Sequence, residues 1–307
     1  MTAFTGAGTR PAHTEGATAP KPHAEAHVWS LRPLERPQSW FGLLDSAELT
    51  RVPSFAHELD LARFVTGRTL AKTALARMAG TDPEAVSLRA RCPGCGGPHG
   101  KPAVVGPAAG WELSITHSGD VVAVALTLGG PLGIDVERWE PWAGPGLPPE
   151  YDLVLTPAER AAIDRLPEEH RARAGLTYWT RKEAVLKATG EGLNTPMTDF
   201  TLSGPDEPPA LRCWHGPDAA RRPVPALADL SLGGDYHGAV AVLGARSVRA
   251  TVHSGPDLLA RTRKPVTPRG RSEPVRVIAT EPVRVIATER APRVPAGQAR
   301  PLSGVVR

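Results

Sequence analysis

The chain has 307 residues, 41% hydrophobic and 22% charged, so it can bury a core; its 31 Gly and 33 Pro, about a fifth of the total, point to tails and connectors outside that core. There is no run of 18 apolar residues to span a membrane, no basic-then-apolar leader, and only Cys92, Cys95 and Cys213, too few for a disulfide scaffold, so the chain reads as cytoplasmic. The net charge of +4 is no nucleic-acid signature: residues 246–307 hold 13 Lys/Arg against 4 Asp/Glu, which leaves the body at −5, and this tail has no aromatic ring on which bases could stack.

Residues 1–27 carry almost no large apolar groups and are expected to be disordered. Asp60 to Ala79 has helical spacing, with Leu61, Phe64, Val65 and Leu75 as its apolar stripe and Gly80 as a stop. Strands are expected at Trp111–Thr116, Val121–Leu128 and Leu132–Val136, separated by Ser118-Gly119-Asp120 and Gly129-Gly130-Pro131. After a Pro/Gly-rich connector, Thr156-Pro157-Ala158-Glu159 has the residues of a capping box with proline at the first helical position. A longer helix is expected from Pro167 to Ala188, then short strands near Phe200–Leu202, Ala210–Trp214, Leu227–Leu232 and His237–Leu243. Helix followed by strands thus occurs twice. That order predicts an α+β fold of two halves, 28–132 and 133–245, rather than an alternating parallel sheet. Residues 246–307 are expected to be a basic disordered tail; EPVRVIAT at 273–280 recurs at 281–288, two copies being too few for a solenoid.

Four short motifs carry the chemistry. In Gly133-Ile134-Asp135-Val136-Glu137, period two puts Asp135 and Glu137 on one face of a strand and Ile134 and Val136 on the other. Two such carboxylates repel unless they are solvated or neutralised by a cation, and hard oxygen ligands suit Mg²⁺; alone, the pattern equally describes a wet strand edge. Trp179, Glu183 and Lys187 share one helix face at four-residue spacing, where Glu183 and Lys187 could also be an ordinary helix pair. Thr116-His117-Ser118 ends a strand in polar groups that suit either a phosphate contact or local turn bonds. Gly100-Lys101-Pro102 fixes a lysine without the context of a P-loop.

Taken in order and spacing, Gly-Lys-Pro, Thr-His-Ser, Gly-x-Asp-x-Glu and Trp-x-x-Lys-Glu-Ala-x-x-Lys resemble the Sfp-type 4′-phosphopantetheinyl transferases over about Val28 to Gly244. The resemblance implies two pseudo-symmetric α+β subdomains with the active site at their interface, binding coenzyme A and Mg²⁺. It implies transfer of 4′-phosphopantetheine to a serine of an acyl or peptidyl carrier protein, with release of 3′,5′-ADP. Carried over by motif, Asp135, Glu137 and Glu183 are the metal carboxylates, and Asp135, Glu183 and Lys187 the catalytic set, with Lys187 facing the pyrophosphate and Glu183 as the proton acceptor for the serine. Arg63, Arg68, Lys101, Thr116 and His117 are the further coenzyme A contacts, Thr116 standing where many relatives have serine. One chain holding both halves implies a monomer, with no nucleic acid or membrane as partner. Arg181 and Lys182 either dock the carrier or form a solvated helix face. Cys92, Cys95 and His99 supply three zinc ligands where a structural site takes four, so this loop is read as reduced thiols. The competing readings are another Mg²⁺-dependent phosphoryl or nucleotidyl transferase, and a non-catalytic binding protein with a zinc loop and basic tail.

Overall fold

The computed structural model describes residues 23–90, 96–97, 100–142, 144 and 146–262. The expectations for residues 1–22, for Cys92, Cys95 and His99, and for the duplicated octapeptide lie outside the described residues. In chain order the first half contains β1 (Ala24–Leu31), α1 (Ser46–Leu49), α2 (Glu58–Ala79), β2 (Ser87–Ala90), β3 (Pro102–Val105), β4 (Glu112–Ser118), β5 (Val121–Thr127) and β6 (Leu132–Arg138). There follow α3 (Pro157–Asp164), α4 (Glu168–Thr189), β7 (Phe200–Leu202), β8 (Leu211–Trp214), β9 (Pro225–Ser231), β10 (Tyr236–Leu243), β11 (Val248–Ser254) and α5 (Gly255–Thr262).

The fold is α+β, and two main sheets organise it, β11-β1-β5-β4 and β6-β10-β9; β1 and β11 pair parallel and the other neighbours antiparallel. Side-chain alternation assigns the layers. On β5, Val124 and Leu126 join Leu70, Ala74 and Leu75 of α2 in one core cluster. Ala123 and Ala125 face the other way and meet Ile134 and Val136 of β6 and Val240 and Val242 of β10. Ala239 and Ala241 of β10 turn outward onto Ala184, Val185 and Ala188 of α4. The order is therefore α2, first sheet, second sheet, α4. Between the sheets, Ala123 and Ala125 of the first leave room for Ile134, Val136, Val240 and Val242 of the second, and Ala239 and Ala241 let α4 approach the outer side.

Local signals explain the helix ends. Gly80 caps α2 at φ 67°, a left-handed conformation that costs glycine nothing. At the start of α3, Thr156 Oγ1 accepts from Glu159 N and the Glu159 side chain accepts from Thr156 N, so the expected capping box is present with Pro157 at the first turn. Thr156→Ala is expected to cost about 1 kcal/mol in urea unfolding, and Thr156→Ser much less; equal stability of the alanine variant would remove the cap as a contributor.

Two boundaries need correction. β1 begins at Ala24, inside the stretch expected to be disordered up to residue 27. The stretch expected as a disordered tail from 246 instead supplies β11, which pairs with β1 from Ala24↔Val248 to Ser30↔Ser254, and α5, whose Leu258 and Leu259 are buried. Overall tail composition concealed them because β11 buries little and earns its place through backbone pairing along an edge.

Candidate active site

The two sheets meet edge to edge where β4 runs beside β6. On β4 the alternating Ser114, Thr116 and Ser118 all point at β6 and are buried. Ser114 Oγ accepts from Ile134 N at 3.1 Å, Thr116 Oγ1 donates to Asp135 Oδ1 at 3.1 Å, and Ser118 Oγ accepts from Arg138 N at 3.1 Å while donating to Glu137 Oε2 at 2.6 Å. Side-chain hydroxyls thus do along this seam what backbone groups do within a sheet. Period-two hydroxyls were visible in the sequence as a pattern; that they face the acidic strand was not.

Asp135 and Glu137 share a face as expected, but it is the face toward α4 and not a wet edge: both are 2% exposed. α4 lies close because Gly133 has no side chain, a Cβ there falling 2.0 Å from Ala184 O and 2.5 Å from Ala188 N. That contact delivers Lys187, whose Nζ donates to Asp135 Oδ1 at 2.6 Å and to Thr116 Oγ1 at 3.4 Å. Burial alone would lower the Lys187 pKa; Asp135, Glu183 and Glu137 together hold it above its ordinary value. Burial, reinforced by Asp135, pushes Glu137 up to about 8, and burial raises Glu183 to about 7 despite the opposing Lys187 charge.

The other expected site residues divide. Thr116 and His117 are adjacent on a strand and so face opposite sides. His117 is held below its ordinary pKa by burial and by the charges of Arg63 and Lys187, which places it in the same electrostatic neighbourhood. Arg63 donates to Gly119 O at 2.6 Å and to Asp60 at 3.2 Å. Arg68 and Lys101 are engaged elsewhere: Arg68 Nε lies 3.5 Å from the buried Glu48, and Lys101 Nζ lies 3.8 Å from Glu112 at the far end of β4 from Ser118.

Arg181 and Lys182 are neither a docking pair nor a solvated face, being 1% and 0% exposed. Arg181 grips Asp229 with two bonds at 2.9 and 2.7 Å and donates to Gly204 O and Glu207 O. Lys182 Nζ donates to Val154 O, Met197 O and Phe200 O and lies 2.7 Å from Glu159 Oε2. Both hold β7, β9 and the α3 start onto α4. Their neighbour Glu183 alone of the three turns toward the seam.

Among the described residues, no three His, Cys, Asp or Glu side chains form a ready metal-ligand group. Lys187 bonds one oxygen of Asp135, and Ser118 one oxygen of Glu137. The donor set still suits a hard cation: Asp135 Oδ2 is buried without a partner beside a second buried carboxylate. Arg63 Nε, His117 Nδ1 and Trp179 Nε1 are likewise buried and unpartnered, as are Glu48 Oε1, Thr69 Oγ1 and Thr73 Oγ1 on α1 and α2.

The buried acids, the lysine and the unspent polar groups along the seam of the two sheets make this the candidate active site of the α+β fold. A family model described as the 4′-phosphopantetheinyl transferase superfamily matches residues 131–241, which include both acidic motifs. The 4′-phosphopantetheinyl transferase HetI of a Nostoc species is 29% identical over 195 residues, 61% of this chain and 78% of its own. The 4′-phosphopantetheinyl transferase AcpT of Salmonella typhimurium is 30% identical over 152 residues, 48% of this chain and 68% of its own. A Bacillus subtilis 4′-phosphopantetheinyl transferase is 27% identical over 154 residues, 50% of this chain and 63% of its own. The chain belongs to the 4′-phosphopantetheinyl transferase superfamily and is a transferase. Among the described residues, no helix is long and apolar enough to cross a membrane.

Proposed function

We propose that this protein moves 4′-phosphopantetheine from coenzyme A to the serine hydroxyl of an acyl or peptidyl carrier protein, releasing 3′,5′-ADP, with Mg²⁺ held by Asp135, Glu137 and Glu183. The observation that carries this reading is the buried, unpartnered Asp135 Oδ2 in a cluster of acids already touched by Lys187. In the reaction the serine oxygen forms a bond to the phosphorus bearing pantetheine. The bond from that phosphorus to the bridging oxygen breaks, and the ADP phosphate leaves with the electron pair. Mg²⁺, when bound, offsets the charge of the pyrophosphate.

The chain's own residues supply the rest. Glu183, facing the seam from α4, is the proton acceptor for the serine in this reading. Lys187 rests on Asp135 in the absence of other cations, and transfer of its ammonium to the pyrophosphate would free that carboxylate while stabilising the departing oxygen. In this reading His117 and Arg63 bind phosphate oxygens, which the unspent buried Nδ1 and Nε atoms support. All these groups come from one chain, in keeping with a monomer.

The test is intact-mass measurement of an apo carrier domain incubated with the protein, coenzyme A and Mg²⁺. A phosphopantetheine-sized gain that EDTA abolishes is expected, with Glu183→Gln slower by about a hundredfold. No gain on acyl or peptidyl carriers would defeat the proposal, and turnover of a nucleoside triphosphate instead would favour a nucleotidyl or phosphoryl transferase. Wild-type rates in Glu183→Gln would remove Glu183 as general base and as metal ligand while leaving the transfer reaction standing.

A further inference from the structure

The turn joining β4 to β5, Ser118-Gly119-Asp120, is gripped from both sheets. Tyr236 opens β10, 116 residues further along the chain, and its hydroxyl accepts from Asp120 N at 3.0 Å while donating to Asp120 Oδ1. Arg63 of α2 holds Gly119 O at 2.6 Å, and Arg32, just past β1, lies 3.2 Å from Asp120 Oδ2. Gly119 sits at φ 52°, and a Cβ there would stand 2.7 Å from the Tyr236 hydroxyl and 2.8 Å from Arg138 Cδ, so Tyr236 and Arg138 pack where a larger residue's side chain would lie. The bonds continue into the site. Tyr236 is the register partner of Arg138, whose N–H donates to Ser118 Oγ, which in turn donates to Glu137 Oε2 at 2.6 Å.

We propose that Tyr236 is a positioning residue of the transferase: its hydroxyl pins the β4–β5 turn to the second sheet and, through Ser118, sets Glu137 on β6 relative to His117 on β4. The inference rests on the transferase reading. It adds a residue that lies outside every sequence motif. A role confined to stability is disfavoured by the surroundings. Arg32 and Asp120 have side chains 84% and 47% exposed, where an ion pair adds little. The tyrosine bonds, by contrast, go to the backbone and carboxylate of the one turn that follows His117 and Ser118.

The experiment compares Tyr236→Phe, Asp120→Ala and Asp120→Asn with the wild type in three readouts: kcat for carrier modification, half-saturating Mn²⁺ measured calorimetrically without coenzyme A, and Tm. In Tyr236→Phe and Asp120→Ala, kcat is expected to fall about tenfold and half-saturating Mn²⁺ to rise about fivefold, with Tm moving only a few degrees, because sub-ångström displacement of site groups costs rate far more than stability. Asp120→Asn keeps an acceptor for the tyrosine and should stay within about twofold of wild type. The double variant Tyr236→Phe/Asp120→Ala should be no worse than either single one, since both remove the same contact. Unchanged kcat and Mn²⁺ titration in Tyr236→Phe, whatever happens to Tm, would overturn the proposal. So would an Asp120→Asn variant as impaired as Asp120→Ala, which would assign the effect to the carboxylate charge. A wild-type protein that modifies no carrier would defeat the transferase reading, while the Mn²⁺ arm would still decide the role of Tyr236.

Discussion

Gly133→Ala is expected to leave little folded protein, and any that folds should be destabilised by about 3 kcal/mol or more, a fall in Tm on the order of 10 °C. The reason is the identity of the atoms that a methyl group would meet. Ala184 O at 2.0 Å and Ala188 N at 2.5 Å belong to the backbone of α4, and the Lys187 Cβ follows at 2.9 Å, so no side-chain rotation relieves the clash. β6 and α4 would have to separate, and with them Asp135 and Lys187. Gly42→Ala serves as the control, because a Cβ there meets nothing within 4 Å. Thermal unfolding of both variants checks the idea; a Gly133→Ala protein melting within about 2 °C of wild type would show that the seam is looser than described.

The second large effect is expected for Lys182→Met, at about 3–5 kcal/mol, the range for removing one partner of a buried ion pair. Glu159 Oε2 would lose its cation, and Val154 O, Met197 O and Phe200 O their donor, all in an interior where Lys182 is 0% exposed. Glu159 already uses Oε1 for Leu202 N and Oε2 for the Thr156 N–H, so its carboxylate joins α3, β7 and α4 at one point. Lys182→Met/Glu159→Gln should recover part of the loss, because the stranded charge goes, although the amide keeps only one acceptor oxygen for the two N–H groups of Leu202 and Thr156. Urea unfolding of the single and double variants measures it. A single variant within about 1 kcal/mol of wild type would sink the assignment of Lys182 as a structural anchor.

The regular elements were legible because their signals are local. Periods of 2 and 3.6 residues placed Asp135 with Glu137 and aligned Trp179, Glu183 and Lys187, and the capping box at Thr156 needed only four consecutive residues. β11 was not legible: a strand that buries little and pairs along an edge leaves a weak pattern, and its partner β1 lies more than 200 residues earlier.

For the site, the sequence by itself determined which side chains were available and which of them shared a face. The fate of three adjacent residues on α4 was left to the tertiary structure. Arg181 and Lys182 are buried on Asp229, Glu159 and a set of carbonyls 15 to 48 residues away in the chain, whereas Glu183 faces the seam. A charge is tolerated inside only where fixed partners replace water, and those partners arrive from elements that no local pattern connects. The same holds for Gly133, read as part of a motif but required by the approach of α4, and for Tyr236, which reaches the β4–β5 turn only once the two sheets are joined.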